Sequence, residues 1–104
     1  MSMALQLQKD IYSYCFILGG YKMVTSGSNC NRITSKTVCE KASIDLGLSD
    51  NVAENEYDSS FPPYCTLRRN RDDYKLIFNN NDFSNKGCST HEPCICYDGK
   101  VECQ

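Results

Sequence analysis

Four groups of residues carry side chains able to do chemistry. Cys88-x5-Cys94-x-Cys96-x6-Cys103, with His91 inside the first gap, puts four thiols and an imidazole in one short stretch. Thiolate and imidazole are zinc ligands, but structural zinc sites are built on paired Cys-x2–4-Cys clips, and the sequence has none. His91 near a thiol could also pair a base with a nucleophile. It is the single histidine, flanked by Thr90 and Glu92, and the 8 cysteines are an even number that bridges can consume entirely. Arg68, Arg69, Arg71 and Lys75 form a basic cluster suited to phosphate or anionic polysaccharide, with Asp72 and Asp73 beside it. Tyr12, Tyr14, Tyr21, Tyr57, Tyr64, Tyr74 and Tyr97 could stack on sugar faces, although half-buried tyrosines also build small β-rich cores. The expectation is therefore no catalytic residue, no metal and no cofactor, with the cysteines in disulfides. A carbohydrate-binding module and a cytosolic zinc-stabilised protein are the alternatives.

The elements that must position these residues are short. Ile11-Tyr-Ser-Tyr-Cys-Phe-Ile-Leu18 is rich in β-branched and aromatic residues and meets Gly19-Gly20 before Tyr21–Thr25, a pattern that predicts a hairpin. Apolar on both faces, the first of these strands is expected to contact a partner through Ile11, Tyr12, Tyr14, Phe16, Ile17 and Leu18, with Arg68, Arg69 and Arg71 as a second contact. Thr37-Val-Cys-Glu40 fits a capping box opening a helix over about 38–46, stopped by Gly47 and facing inward through Cys39, Ala42 and Leu46. Residues 49–60 read as a solvated acidic loop. Phe61-Pro-Pro-Tyr64 is extended, Tyr64–Leu67 and Tyr74–Phe78 are strands, and Arg68–Asp73 is the charged tip between them. Asp98-Gly99 predicts a type I′ hairpin that sets Cys94 opposite Cys103, close enough to permit a bridge.

Composition supports a stapled architecture. The chain has 104 residues, enough for one domain, and 40% hydrophobic residues with no tryptophan. Leu, Ile, Val and Phe together make about a fifth of it, a thin supply for a core, so cross-links must supplement burial. A formal net charge of −2 removes the broad basic face expected of a nucleic-acid binder. Gln6, Gln8, Lys9 and Asp10 interrupt the first residues, so no secretory leader is expected, and Ile11–Leu18 is too short to span a bilayer. Oxidised cysteines without a visible export signal point to a dedicated oxidation pathway or to a particle exposed to the outside. A virion or extracellular surface is the expected location.

Val24-Thr-Ser-Gly-Ser-Asn-Cys30, Ile33-Thr-Ser35, Cys39-Glu-Lys-Ala42, Leu46-Gly-Leu-Ser-Asp50, Ser59-Ser-Phe-Pro-Pro-Tyr-Cys65, Leu76-Ile-Phe-Asn79, Gly87-Cys-Ser89 and Cys94-Ile-Cys96 form an ordered string of motifs. The string resembles a six-cysteine module recurring in predicted proteins of microalgae, other protists and the large DNA viruses of algae, a family with no established activity. The resemblance spans about Tyr21 to Tyr97 and implies a small disulfide-stapled unit of surface or structural type. Its six shared cysteines correspond to Cys30, Cys39, Cys65, Cys88, Cys94 and Cys96. The residue before the third is commonly Gly in the family and is Tyr64 here. If the six pair among themselves, Cys15 and Cys103 are left to join each other, in preference to a Cys94–Cys103 bridge; the pairing within the six stays open.

The fold expected is a small disulfide-rich α+β domain, one short helix on a twisted antiparallel sheet of hairpins, with residues 1–20 as an N-terminal arm or strand and 21–104 as a single cysteine-rich module. The function expected is a non-catalytic structural module packed against larger structural proteins, such as a minor capsid or surface-assembly component. A glycan is the other partner considered; nucleic acid is not expected.

Overall fold

A computed structural model describes the backbone of residues 15–17, 20–99 and 101–103 and the side chains of residues 20–99. It is a small disulfide-rich α+β fold. The elements run β1 (Cys15–Ile17), β2 (Tyr21–Val24), β3 (Asn31–Arg32), α1 (Lys36–Asp45), β4 (Glu54–Glu56), β5 (Tyr64–Asn70), β6 (Asp73–Asn79), β7 (Cys94–Tyr97) and β8 (Val101–Cys103). The main sheet has the order β2-β7-β5-β6-β4, with β3 also pairing β7, and β1 and β8 make a separate two-stranded ladder.

The helix begins two residues before the expected position. Ser35, not Thr37, is its N-cap, and the Ser35 hydroxyl accepts from the Val38 amide at 3.3 Å. Glu40 is therefore free of capping duty and instead accepts from the Ala53 amide at 2.9 Å, tying the following loop to the helix. The stop is as expected: Gly47 takes φ +71°, which a residue without Cβ adopts without strain. Leu48 N–H donates to the Ser43 carbonyl and Gly47 N–H to the Ile44 carbonyl, the paired bonds of a Schellman end. Cys39 and Ala42 are buried on the inner face, and half-buried Leu46 packs against the core.

The core lies between that face and the sheet. Ile33, Leu76 and Ile95 are fully buried, with Leu67, Phe78 and Tyr97 around them. Three disulfides fasten the surrounding chain to it: Cys30–Cys96, Cys39–Cys65 and Cys88–Cys94, with sequence separations of 66, 26 and 6. On the chain-entropy model such loops stabilise by roughly 4, 3.5 and 2.5 kcal/mol, enough to offset a thin core. The six cysteines of the resembled module thus pair among themselves, and Cys94 is not available to Cys103. Cysteines bridged in this way belong to a chain matured in oxidising surroundings.

The sheet differs from an all-antiparallel set of hairpins in two ways. First, β4 comes from the stretch expected as a solvated loop, and it pairs parallel to β6, making the sheet mixed. Its acids are engaged rather than solvated. Asp50 accepts from the Leu76 amide at 3.0 Å, Glu54 pairs with Lys75 at 2.7 Å, and Glu56 with Arg68 at 3.6 Å. Second, neither the Gly19-Gly20 nor the Asp98-Gly99 hairpin forms. β2 pairs with β7 (Tyr21 opposite Tyr97) and β1 with β8 (Cys15 opposite Cys103), so the chain runs on past both turn signals instead of reversing. The reason lies in β7. Its bridges to Cys30 and Cys88 hold it inside the sheet, with β2 on one edge and β3 and β5 on the other, so no edge remains for β8. Only the β5–β6 hairpin follows the sequence expectation, with a tighter turn: of the expected tip Arg68–Asp73, all but Arg71-Asp72 lies in the paired strands.

Candidate interaction surface

Three surfaces merit description as sites: the β1–β8 ribbon, the β5–β6 tip, and the loops at the far end of β6.

The ribbon prolongs the β2–β7 ladder without a change of register. Four steps along from the Ile17–Val101 pair lies the Tyr21–Tyr97 pair, and between them the Gly20 carbonyl accepts from the Asp98 amide at 2.8 Å. Gly99 takes φ +114°, a conformation open to glycine, which lets the strand continue where a turn was expected. Beyond this point no third strand joins: among the described residues the outer edges of β1 and β8 carry no ladder. Of the residues expected to meet a partner, Phe16 lies opposite Glu102 and Ile17 opposite Val101. Ile11, Tyr12, Tyr14 and Leu18 lie outside the described residues, as do the side chains of Cys15 and Cys103.

The basic cluster does not act as one patch. Arg68 is half-buried, its guanidinium stacked on the Phe61 ring at 3.8 Å and paired with Glu56. Its Nε is buried and without a hydrogen-bond partner. Arg68 lies directly opposite Lys75 across the β5–β6 ladder, and the two like charges are offset by Glu56 and Glu54 of β4. Arg68 thus fastens β4 to β5 within the fold. Arg69 and Arg71 are exposed; the Arg69 side chain donates to the Arg71 carbonyl at 3.3 Å, and Arg71 takes φ 57° at the turn.

The tyrosines are mostly occupied. Tyr21 packs on Tyr97 at 5.7 Å, Tyr64 on Phe78 at 6.2 Å, and the Tyr74 hydroxyl donates to the Thr90 carbonyl at 3.1 Å. Tyr57 is 71% exposed, and on the adjoining loop Phe83 is 87% exposed. The two loops are stitched by Asn79, a fully buried amide at the end of β6. Its NH2 donates to the carbonyls of Asp58 at 2.7 Å and of Phe61 and Pro62 at 3.1 Å. Its Oδ1 accepts from the Asp58 and Asn81 amides. Asp58 in turn accepts from the Ser60 hydroxyl and the Ser60 amide, which hold its carboxyl below the usual carboxylate range.

His91 is exposed, and its carbonyl accepts from the Arg69 amide at 2.8 Å. Since Cys88 and Cys94 are joined to each other and Cys96 to Cys30, these sulfurs are neither nucleophiles nor metal ligands, and the zinc alternative loses three of its four thiolates. Among the described residues no helix is long and apolar enough to cross a membrane. Compared with known proteins, the chain matches no family model, no curated protein and no solved structure.

Proposed function

We propose that the chain is a non-catalytic, disulfide-stapled interaction module that docks on a larger structural protein through the β1–β8 ribbon, as a minor component of a virion or other surface assembly. One observation carries this reading: among the described residues the ribbon continues past the sheet with open backbone edges, and its β1 lies within Ile11–Leu18, the most apolar run of the sequence. An unpaired strand edge is a template for strand addition, in which backbone bonds supply affinity and alternate side chains supply selectivity. The resemblance to a six-cysteine module of algae and their viruses favours a particle or cell surface, and three disulfides suit such surroundings. A body held by covalent staples delivers this strand without first ordering a large core.

The test is photo-crosslinking in the native assembly, with a photoreactive residue at Tyr14 or Phe16 and, as control, at Ile44 on the exposed helix flank. The expected result is one dominant crosslinked protein from the ribbon positions, absent from the control, and lost when Ile17→Pro removes a backbone donor from β1. Purification as a free monomer with no ribbon-specific crosslink would overturn the reading. Exposed Tyr57 and Phe83 on neighbouring loops favour the carbohydrate alternative; a sugar-array signal abolished by Tyr57→Ala and Phe83→Ala would establish it instead.

A further inference from the structure

We infer that Cys15 and Cys103 form a fourth disulfide, a clasp across the β1–β8 ribbon. The other six cysteines are consumed by the three bridges of the body, so within the chain these two have only each other. The backbone sets them directly opposite. Pairs in an antiparallel ladder alternate between hydrogen-bonded and non-hydrogen-bonded kinds, with Cα atoms about 5.5 and about 4.5 Å apart; both separations lie inside the range that a disulfide spans, and the second brings the side chains closer. The Asp98 amide bonded to the Gly20 carbonyl identifies Gly20–Asp98 as a hydrogen-bonded pair. At the unchanged register, Cys15–Cys103 lies an odd number of steps away and is therefore of the non-hydrogen-bonded kind.

A two-stranded ladder is marginal in water when nothing else covers it. The clasp removes that weakness by joining the ribbon covalently at its far end, while Cys30–Cys96 and Cys88–Cys94 anchor its near end in the sheet. The chemistry needs only a disulfide oxidant such as oxidised glutathione. One cysteine thiolate attacks it and releases one glutathione thiolate; the other cysteine, having lost its proton, displaces the second. The two protein sulfurs lose two electrons and the oxidant leaves as two thiols. The clasp forms in the isolated chain whether or not the ribbon docks, so it stands or falls separately from the docking reading.

Non-reducing peptide mapping of the full chain, refolded in a glutathione buffer, tests it. The expected result is a linked peptide pair containing Cys15 and Cys103, no thiol reactive with a maleimide, and an intact mass about 8 Da below that of the reduced chain. Cys15→Ser should expose one reactive thiol per chain, at Cys103. In the Cys15→Ser/Cys103→Ser variant, amides of β1 and β8 should exchange with deuterium at least about tenfold faster, with β5 and β6 unchanged. Two free thiols in the wild-type chain, glutathione capping of both, linkage of Cys15 or Cys103 to a body cysteine, or a disulfide-linked dimer would each overturn the inference.

Discussion

Replacing Asn79 by Asp isolates the worth of a single buried amide. The substitution preserves shape and both acceptor contacts of Oδ1 but removes the two hydrogens that serve the carbonyls of Asp58, Phe61 and Pro62. The two lost hydrogens cost about 2 kcal/mol net, and leaving buried carbonyls to face another oxygen adds about 1–3 kcal/mol. The sum is about 3–5 kcal/mol at pH 7, or roughly 12–25 °C in Tm for a domain of this size. The sign with pH is distinctive. A carboxyl surrounded by carbonyl oxygens at a fully buried site favours its protonated form, so its folded pKa rises above the unfolded value of about 3.9. Stability from a raised pKa is fully present below the unfolded value and lost as pH rises through the folded one. The penalty should therefore be smallest near pH 4 and grow towards pH 7. Urea unfolding of wild type and variant at both pH values, with disulfides intact, measures it. A loss under about 1 kcal/mol at pH 7, or one independent of pH, would refute the reasoning.

Other outcomes follow from local geometry. Ser35→Ala should cost about 1 kcal/mol in chemical denaturation and Thr37→Ala under about 0.5 kcal/mol, since only the Ser35 hydroxyl caps the helix. Tyr64 holds φ 67°, a conformation that costs a residue bearing a Cβ about 1 kcal/mol, so Tyr64→Gly should be more stable than Tyr64→Ala by about that amount in thermal melts. Asp58 is held ionised first by the Ser60 hydroxyl and then by the Ser60 amide, so stability it contributes is present above its unfolded pKa and lost as pH falls through the folded one. Ser60→Ala should move its titration, followed by NMR of the carboxyl carbon, upward towards the ordinary range.

Local chemistry made some of this fold legible and tertiary competition hid the rest. The helix, its inward Cys39 and its Gly47 stop could be read because periodicity and capping are local properties. The β5–β6 hairpin was readable for the same reason. Gly19-Gly20 and Asp98-Gly99 misled because a turn signal states what the backbone can do, whereas partner strands decide what it does. β4 escaped notice since Glu54 and Glu56 look solvated until Lys75 and Arg68 are placed across from them. Arg68 was read as surface for the converse reason. Asn79 was hidden among Asn79-Asn-Asn-Asp82, where nothing local separates a buried hub from ordinary turn residues. Tyr64 at φ 67° was equally hidden, because nothing in Pro62-Pro63-Tyr64-Cys65 marks a left-handed residue.

Because β7 is the strand on which β2, β3 and β5 all converge, the order of synthesis matters. Cys30 meets Cys96 across a separation of 66 residues, so early segments leave the ribosome long before the strand that receives them exists. Contacts this distant are slow to form. Until they do, Cys30 is a thiol without its partner while Cys39 and Cys65 already have each other, so an oxidant acting early can link Cys30 to either of them. Late oxidation therefore favours the native Cys30–Cys96 bridge, which makes the timing of oxidation, as much as the compartment, a determinant of yield.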